Sequence, residues 1–280
     1  MYIVGIGEIV WDLLPEGARL GGAPLNFACH ARLLGAEAAV ISAVGADKWG
    51  RDALEKARKA GVSDVCVQVN ELPTGTVSVD TSDPENPRYT IVENVAWDAI
   101  ACTSEALAAA RAADVLCWGS LAQRSVKSRE TILRLVSSAA PSCKKVFDIN
   151  IRPPYVDSGL FEPSLKMADI LKINEDELPF LAKRLGLEGE PVPALFHRFP
   201  NLELVIHTCG AAYSEIFSPE GSVSRLDTPK VKLVDPVGAG DSFTAAFITS
   251  YLQDGDIRAA HRKAVEVSAE VCTHPGALPC

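Results

Sequence analysis

Apolar runs of strand length alternate with helix-length segments through most of this chain, and that rhythm admits few folds. Ala38 to Val44 reads as a buried strand and Asp52 to Lys59 as a polar-faced helix closed by Gly61. Beyond Ser104 come a helix to Ala112, a strand from Val115 to Trp118, a helix from Ser125 to Ser138 and a strand from Lys145 to Ile149. Strands that repeatedly hand over to helices predict crossover connections, and therefore an α/β protein built on a mostly parallel sheet. Tyr2 to Val10 reads as the first buried strand. It carries Gly5 and Gly7 but has Val10 where a dinucleotide fingerprint needs its third glycine. The texture changes between Val65 and Asp98. There Val65-Cys-Val-Gln-Val, Thr76-Val-Ser-Val and Arg88-Tyr-Thr-Ile-Val are short alternating stretches broken by Pro73, Pro84 and Pro87, which predicts a separate antiparallel sheet. Trp97, at its end, reads either as core of that sheet or as an aromatic facing a ligand.

With 280 residues, 48% of them apolar, the chain can bury one large core in a single domain. A net charge of -9 argues against a broad nucleic-acid or acidic-lipid surface, so an anionic ligand would have to be held locally. Eight cysteines without a Cys-x-x-Cys pair predict reduced thiols in a cytoplasmic protein, and five scattered histidines offer no zinc spacing. No apolar run approaches the roughly eighteen residues of a membrane span, and Glu8 and Asp12 interrupt the first apolar stretch before it can act as a signal peptide. P-loop and protein-kinase motifs are absent.

One stretch concentrates the chemistry. In Lys232-Leu-Val-Asp-Pro-Val-Gly-Ala-Gly-Asp-Ser-Phe a strand is predicted to run into a glycine turn, Gly238-Ala239-Gly240, and then into an apolar helix. Unpaired amides and the positive end of a helix dipole meet there, so a phosphate can be held by backbone alone. Asp241 in the first turn is either a cap or a carboxylate that accepts a proton from an alcohol. Near the N-terminus, Asp12, Gly22 and Asn26 bring a carboxylate, a glycine turn and an amide to one strand end. That suits a polyol, and equally a turn with a surface acid. Asn174 and Glu177 have capping-box spacing after the strand from Ile170. Asp148-x-Asn150-x-Arg152 lies at another strand's C-terminal end, where open parallel sheets bind ligands; Arg152 either reaches phosphate or pairs with Asp148.

The glycine turn ending in Asp241 resembles the signature of the ribokinase-like (PfkB) carbohydrate kinases. Glu8 to Gly17 followed by Gly21-Gly-Ala-Pro-Leu-Asn-Phe27 is similar to the sugar-binding signature of bacterial fructokinases in that family. The two signatures stand in the family's order, and the resemblance runs along nearly the whole chain. It implies a ribokinase-like three-layer fold with a small β-strand lid, here segments of about 10–22 and 64–98. The implied activity is magnesium-dependent transfer of the γ-phosphoryl group of ATP to a primary hydroxyl of a hexose, fructose first. By the same match Asp241 is the catalytic base, Gly238 to Gly240 are the anion hole, and Asp12, Gly22 and Asn26 bind sugar hydroxyls. Asn174, Glu177, Thr208 and Gly210 lie along the nucleotide, with Glu177 facing magnesium through water. Asp235, with carbonyls near Val237 and Gly276, matches a potassium site; as residues alone it also reads as a strand-end acid. Tyr213 replaces a glycine and Lys263 stands where the family often has Asn. A kinase for another sugar, a sugar acid or a nucleoside, or a silent sugar-binding protein on the same fold, remains an alternative. The lid edge offers a surface for a homodimer.

Overall fold

The computed structural model describes residues 1–15, 17–80 and 88–278. From the N-terminus these are β1 (Tyr2–Ile6), β2 (Val10–Leu14), β3 (Gly17–Gly21), α1 (Ala23–Leu33), β4 (Glu37–Gly45), α2 (Lys48–Lys59), β5 (Val67–Asn70), β6 (Gly75–Asp80) and β7 (Arg88–Ile91). Then come α3 (Ser104–Ala112), β8 (Val115–Trp118), α4 (Val126–Ser137), β9 (Lys144–Asp148), α5 (Ser158–Met167), β10 (Ile170–Asn174), α6 (Glu177–Leu185) and α7 (Pro191–Arg198). The remainder is β11 (Leu204–Cys209), β12 (Tyr213–Ser218), β13 (Gly221–Asp227), α8 (Ala239–Asp254) and α9 (Ile257–Val271).

Among the described residues, nine strands form one sheet in the order β13-β12-β11-β10-β9-β8-β1-β4-β5, parallel except for β12, which runs antiparallel to both β11 and β13. Its strands are apolar on both faces because both are covered. Ile3, Val115, Val146 and Ile206 pack with Phe27 of α1, Phe247 of α8 and Ala264 of α9. Their chain neighbours Val4, Leu116, Phe147 and Val205 face the other way, toward Leu135, Leu165 and Leu181 of α4, α5 and α6. This is the α/β architecture expected, in three layers. A second sheet of four strands, β3-β2-β6-β7, stands apart from it.

Four expectations need correction. The small sheet is mixed and not antiparallel throughout, because β2 and β6 run parallel. The first apolar run is two strands, β1 and β2, which belong to different sheets; Gly7 (φ 147) makes the break that carries the chain from one sheet toward the other. Val65 to Val69 contributes β5, which pairs in parallel with β4 at the edge of the main sheet and is no part of the small one. Short alternation marks a half-buried strand without naming its partner. Lys232 to Val234 is irregular and joins no sheet: the amides of Val234 and Asp235 donate to the carbonyl of Cys272, and Leu233 is exposed. Pro229 and Pro236, which lack a donor N–H, bracket that segment. Pro84 and Pro87 lie outside the described residues. Trp97 is fully buried in core, with the Arg124 guanidinium 3.8 Å from its ring centre and no ligand-facing surface.

Candidate active site

The start of α8 is built for close approach. Gly238, its first flanking residue, has φ 83, and a Cβ there would lie 2.7 Å from Ala277, so the turn accepts glycine alone. No side chain caps this helix. Asp241, for which capping was one reading, instead points at α1 and accepts a hydrogen bond from Asn26 Nδ2 at 2.8 Å. The first amides of α8 therefore have no side-chain partner, although that of Ala239 donates to the Pro236 carbonyl at 3.2 Å. Asp241 is partly accessible and shares a small pocket with Asp148 and Phe27. Desolvation and the nearby Asp148 push its carboxyl up to about 6, against the pull of Asn26, Lys172 and Arg152.

Beneath the cradle lies a cation the sequence reading missed. Lys172 is buried in β10, and a Cβ on Gly240 would come 3.0 Å from its Nζ. The ammonium pairs with Asp148 at 3.3 Å. Burial works against its charge, but Asp148, Glu177 and Asp241 outweigh that and hold its pKa above the ordinary value. The one available signal was a lysine in the middle of the apolar run Ile170-Leu-Lys-Ile. Asp148 takes Lys172, not Arg152, as its partner, and its other oxygen lies 3.1 Å from the Thr244 hydroxyl of α8. Glu177 ties two loops together: one oxygen accepts from the Ile151 amide at 2.8 Å, the other from the Asn174 amide at 2.9 Å. Asn174 Oδ1 answers by accepting from the amides of Asp176 and Glu177, the reciprocal arrangement that their spacing predicted.

The opposite wall is made by β2, β3 and the start of α1. Gly22 (φ 114) must be glycine, since a Cβ would meet the Glu8 carbonyl at 2.3 Å. Asn26 is buried, and its Oδ1 has no hydrogen-bond partner. No hydrogen bond reaches the Asp12 carboxylate among the described residues, although it is half-buried. Burial raises its pKa, and Arg152 and Arg19 offset that. Glu8 is buried too, with Oε2 unpartnered and its pKa pushed up to about 7, chiefly by desolvation. Arg152 is exposed and bonds its own neighbour's carbonyl, Ile151 O at 3.0 Å. Its charge nonetheless favours the ionised forms of Glu8, Asp12 and Asp241.

On the far side of Gly240 a cleft of about 680 Å³ opens between α8, α9 and the ends of β10 and β11. Asn174, Thr208 and Gly210 line it on one side, Ala239 and Gly240 on the other. Tyr213 also lines it. It opens β12 opposite Cys209 after a tight turn, and its ring carries the Arg225 guanidinium at 3.5 Å. Lys263 does not line this cleft; it is exposed on α9, whose Val265, Ser268 and Ala269 do. Asp235 accepts from Arg19 Nη1 at 2.8 Å, Gly276 N at 2.9 Å and Val237 N at 3.0 Å.

A doubly covered parallel sheet with an uncapped helix start, an acid beside it and a nucleotide-sized cleft behind it defines an α/β phosphotransferase architecture. Residues 17–280 match the pfkB family of carbohydrate kinases, and the chain belongs to that family and is a sugar kinase enzyme. It is 30% identical over 262 residues to a fructokinase of Salmonella typhimurium, covering 89% of this chain and 84% of that one. It is 29% identical over 307 residues to a probable fructokinase of Arabidopsis thaliana, covering 99% and 93%. An uncharacterized sugar kinase of Pyrococcus horikoshii, solved in complex with ATP, superposes with a TM-score of 0.84 at 25% identity, over 99% of this chain and 94% of that one. Every described cysteine is a free thiol, and no described helix is long and apolar enough to cross a membrane.

Proposed function

We propose that this chain transfers the γ-phosphoryl group of ATP to a primary hydroxyl of a hexose, with fructose as the preferred acceptor. The observation that carries the reading is Asp241: a carboxylate at an uncapped helix start, held by Asn26, between a wall of unpartnered polar atoms and a cleft large enough for a nucleotide. The acceptor is bound by Asp12, Asn26 Oδ1 and the turn at Gly22. ATP lies along Asn174, Thr208 and Gly210, which line the large cleft; ATP binding as such is supported by the ATP complex of the Pyrococcus horikoshii relative. The small sheet of β2, β3, β6 and β7 closes over the acceptor and keeps water from competing for the phosphoryl group.

In this reading Asp241 takes the proton of the attacking hydroxyl, the hydroxyl oxygen forms its bond to the γ-phosphorus, and the bond to the ADP oxygen breaks. The amides of Gly238 to Gly240 face the charge on the moving phosphoryl group, with Lys172 directly below. Arg152 adds positive charge to the site. Asp148 keeps an oxygen without a hydrogen bond beside Lys172, which would suit contact through magnesium-bound water, while Glu177, the family's magnesium-side acid, has each oxygen accepting from one amide and would reach such a water with its remaining lone pairs. When bound, magnesium supplies further neutralisation of the phosphates. The test is a coupled ADP-release assay across sugars, sugar acids and nucleosides; highest kcat/KM on fructose is expected. A clear preference for a nucleoside, or binding of fructose and ATP without ADP release, overturns it.

A further inference from the structure

Asp235 is where the family resemblance implies a potassium ion, and the groups around it are of the wrong kind. A monovalent metal needs oxygen donors turned toward it. Asp235 is instead surrounded by N–H donors: Oδ1 accepts from the Val237 amide at 3.0 Å, and Oδ2 accepts from the Gly276 amide at 2.9 Å and from Arg19 Nη1 at 2.8 Å. The charge pair is largely sheltered, with 15% of the Asp235 side chain and 35% of the Arg19 side chain accessible. Arg19 also lies against the loop itself, its Cδ 3.7 Å from where a Cβ on Gly276 would be. A second cation would sit against the like charge of the guanidinium.

We infer that Arg19 supplies from within the chain the positive charge that relatives of this fold would take from potassium, so that this enzyme works without a monovalent cation. The inference rests on the sugar-kinase reading for its consequence, though its geometry is independent of the acceptor. Arg19 reaches Asp235 from β3, where it stands opposite Asp12 in register. It thus fastens the acceptor-side hairpin to the Val237-Gly238 turn, which sets the first amides of α8, and to the loop of Gly276 and Ala277. Ala277 is itself held by His30 at 2.8 Å and lies close against Gly238. An arginine here does what an ion does for the turn, and also links it to the acceptor wall. An ion has no chain with which to do that.

The experiment compares wild type, Arg19→Ala and Arg19→Lys in potassium, sodium and tetramethylammonium chloride at equal ionic strength, reading ADP release and melting temperature. For the wild type we expect less than a twofold rate change between salts and no potassium-specific rise in melting temperature. Arg19→Ala is expected to lose at least tenfold in rate in tetramethylammonium, to recover at least fivefold in potassium, and to melt higher in potassium than in the other salts. Arg19→Lys, which keeps a charge, is expected to stay indifferent to the salt. Several-fold activation of the wild type by potassium, or a potassium-specific rise in its melting temperature, overturns the proposal, as does an Arg19→Ala variant that matches the wild type in tetramethylammonium. If none of the sugars is phosphorylated, the acceptor reading fails while the melting curves still decide this one.

Discussion

The floor of the site and its acceptor wall treat polar groups in opposite ways. On the floor, Lys172, Asp148, Thr244, Glu177 and Asn174 are engaged with one another or with backbone amides, although Asp148 Oδ1, 3.3 Å from the Lys172 ammonium, lacks a hydrogen bond. On the wall, Asp12 has no hydrogen bond from the described residues, and Asn26 Oδ1 and Glu8 Oε2 are unpartnered. An unmet polar atom in a buried place costs about 1 to 3 kcal/mol, so a folded chain keeps one where something else completes it. A satisfied network holds its shape before any ligand arrives, as groups facing developing charge must. The contrast separates what the protein preorganises from what it leaves for substrate.

Asp241 joins the two regions, and its replacement tests the junction with the largest effect. Asp241→Asn keeps the size of the side chain and removes the proton acceptor. Loss of a general base commonly costs about 10²- to 10⁴-fold, so kcat is expected to fall by that order while the melting temperature barely moves. Unfolding of this variant would make Asp241 structural first. The next largest effect belongs to the floor. Lys172→Met leaves Asp148 buried without its cation, and breaking such a pair costs about 3 to 5 kcal/mol, read as a lower urea midpoint. Adding Asp148→Leu is expected to recover much of that stability without recovering ADP release. Recovery of both would reduce the pair to scaffolding.

The wall predicts a smaller and differently distributed loss. Asp12→Ala removes a charged acceptor for substrate hydroxyls, about 1.5 to 3 kcal/mol per bond lost, and is expected to raise the sugar KM far more than the ATP KM, with stability unchanged. An unaltered sugar KM and kcat would place Asp12 outside the site and erase the contrast between wall and floor.

How much of this could be read from residues alone follows the same division. Glycine turns, the Asn174 and Glu177 pair, and the β-α rhythm are local, with cause and effect a few positions apart. What escaped is what depends on distant partners. Arg19 and Asp235 are 216 residues apart. Lys172 looks like an interruption of a strand until Gly240 is placed above it, and the small separation between Val65-Cys-Val-Gln-Val and Thr76-Val-Ser-Val hid the fact that they enter different sheets. The segment at Lys232 to Val234 has strand-like residues but pairs with no strand.

The last and smallest effect is a pH dependence, and its sign follows from which form of Asp241 works. Desolvation and Asp148 raise its carboxyl to about 6, well above an ordinary aspartate, so the ionised base is lost over a range where exposed carboxylates remain charged. The rate therefore rises with pH up to about 6 and levels above it. Below that point kcat/KM is expected to drop about tenfold per pH unit, because the free enzyme's base is increasingly protonated. Lys172 keeps its charge throughout, its pKa being raised. Glu8, pushed up to about 7, belongs to the wall; its ionisation bears on acceptor binding, and Glu8→Gln separates its contribution from that of Asp241. If the acid limb in Glu8→Gln stays at about pH 6 the base is Asp241, and if the limb disappears the titrating group lies in the wall.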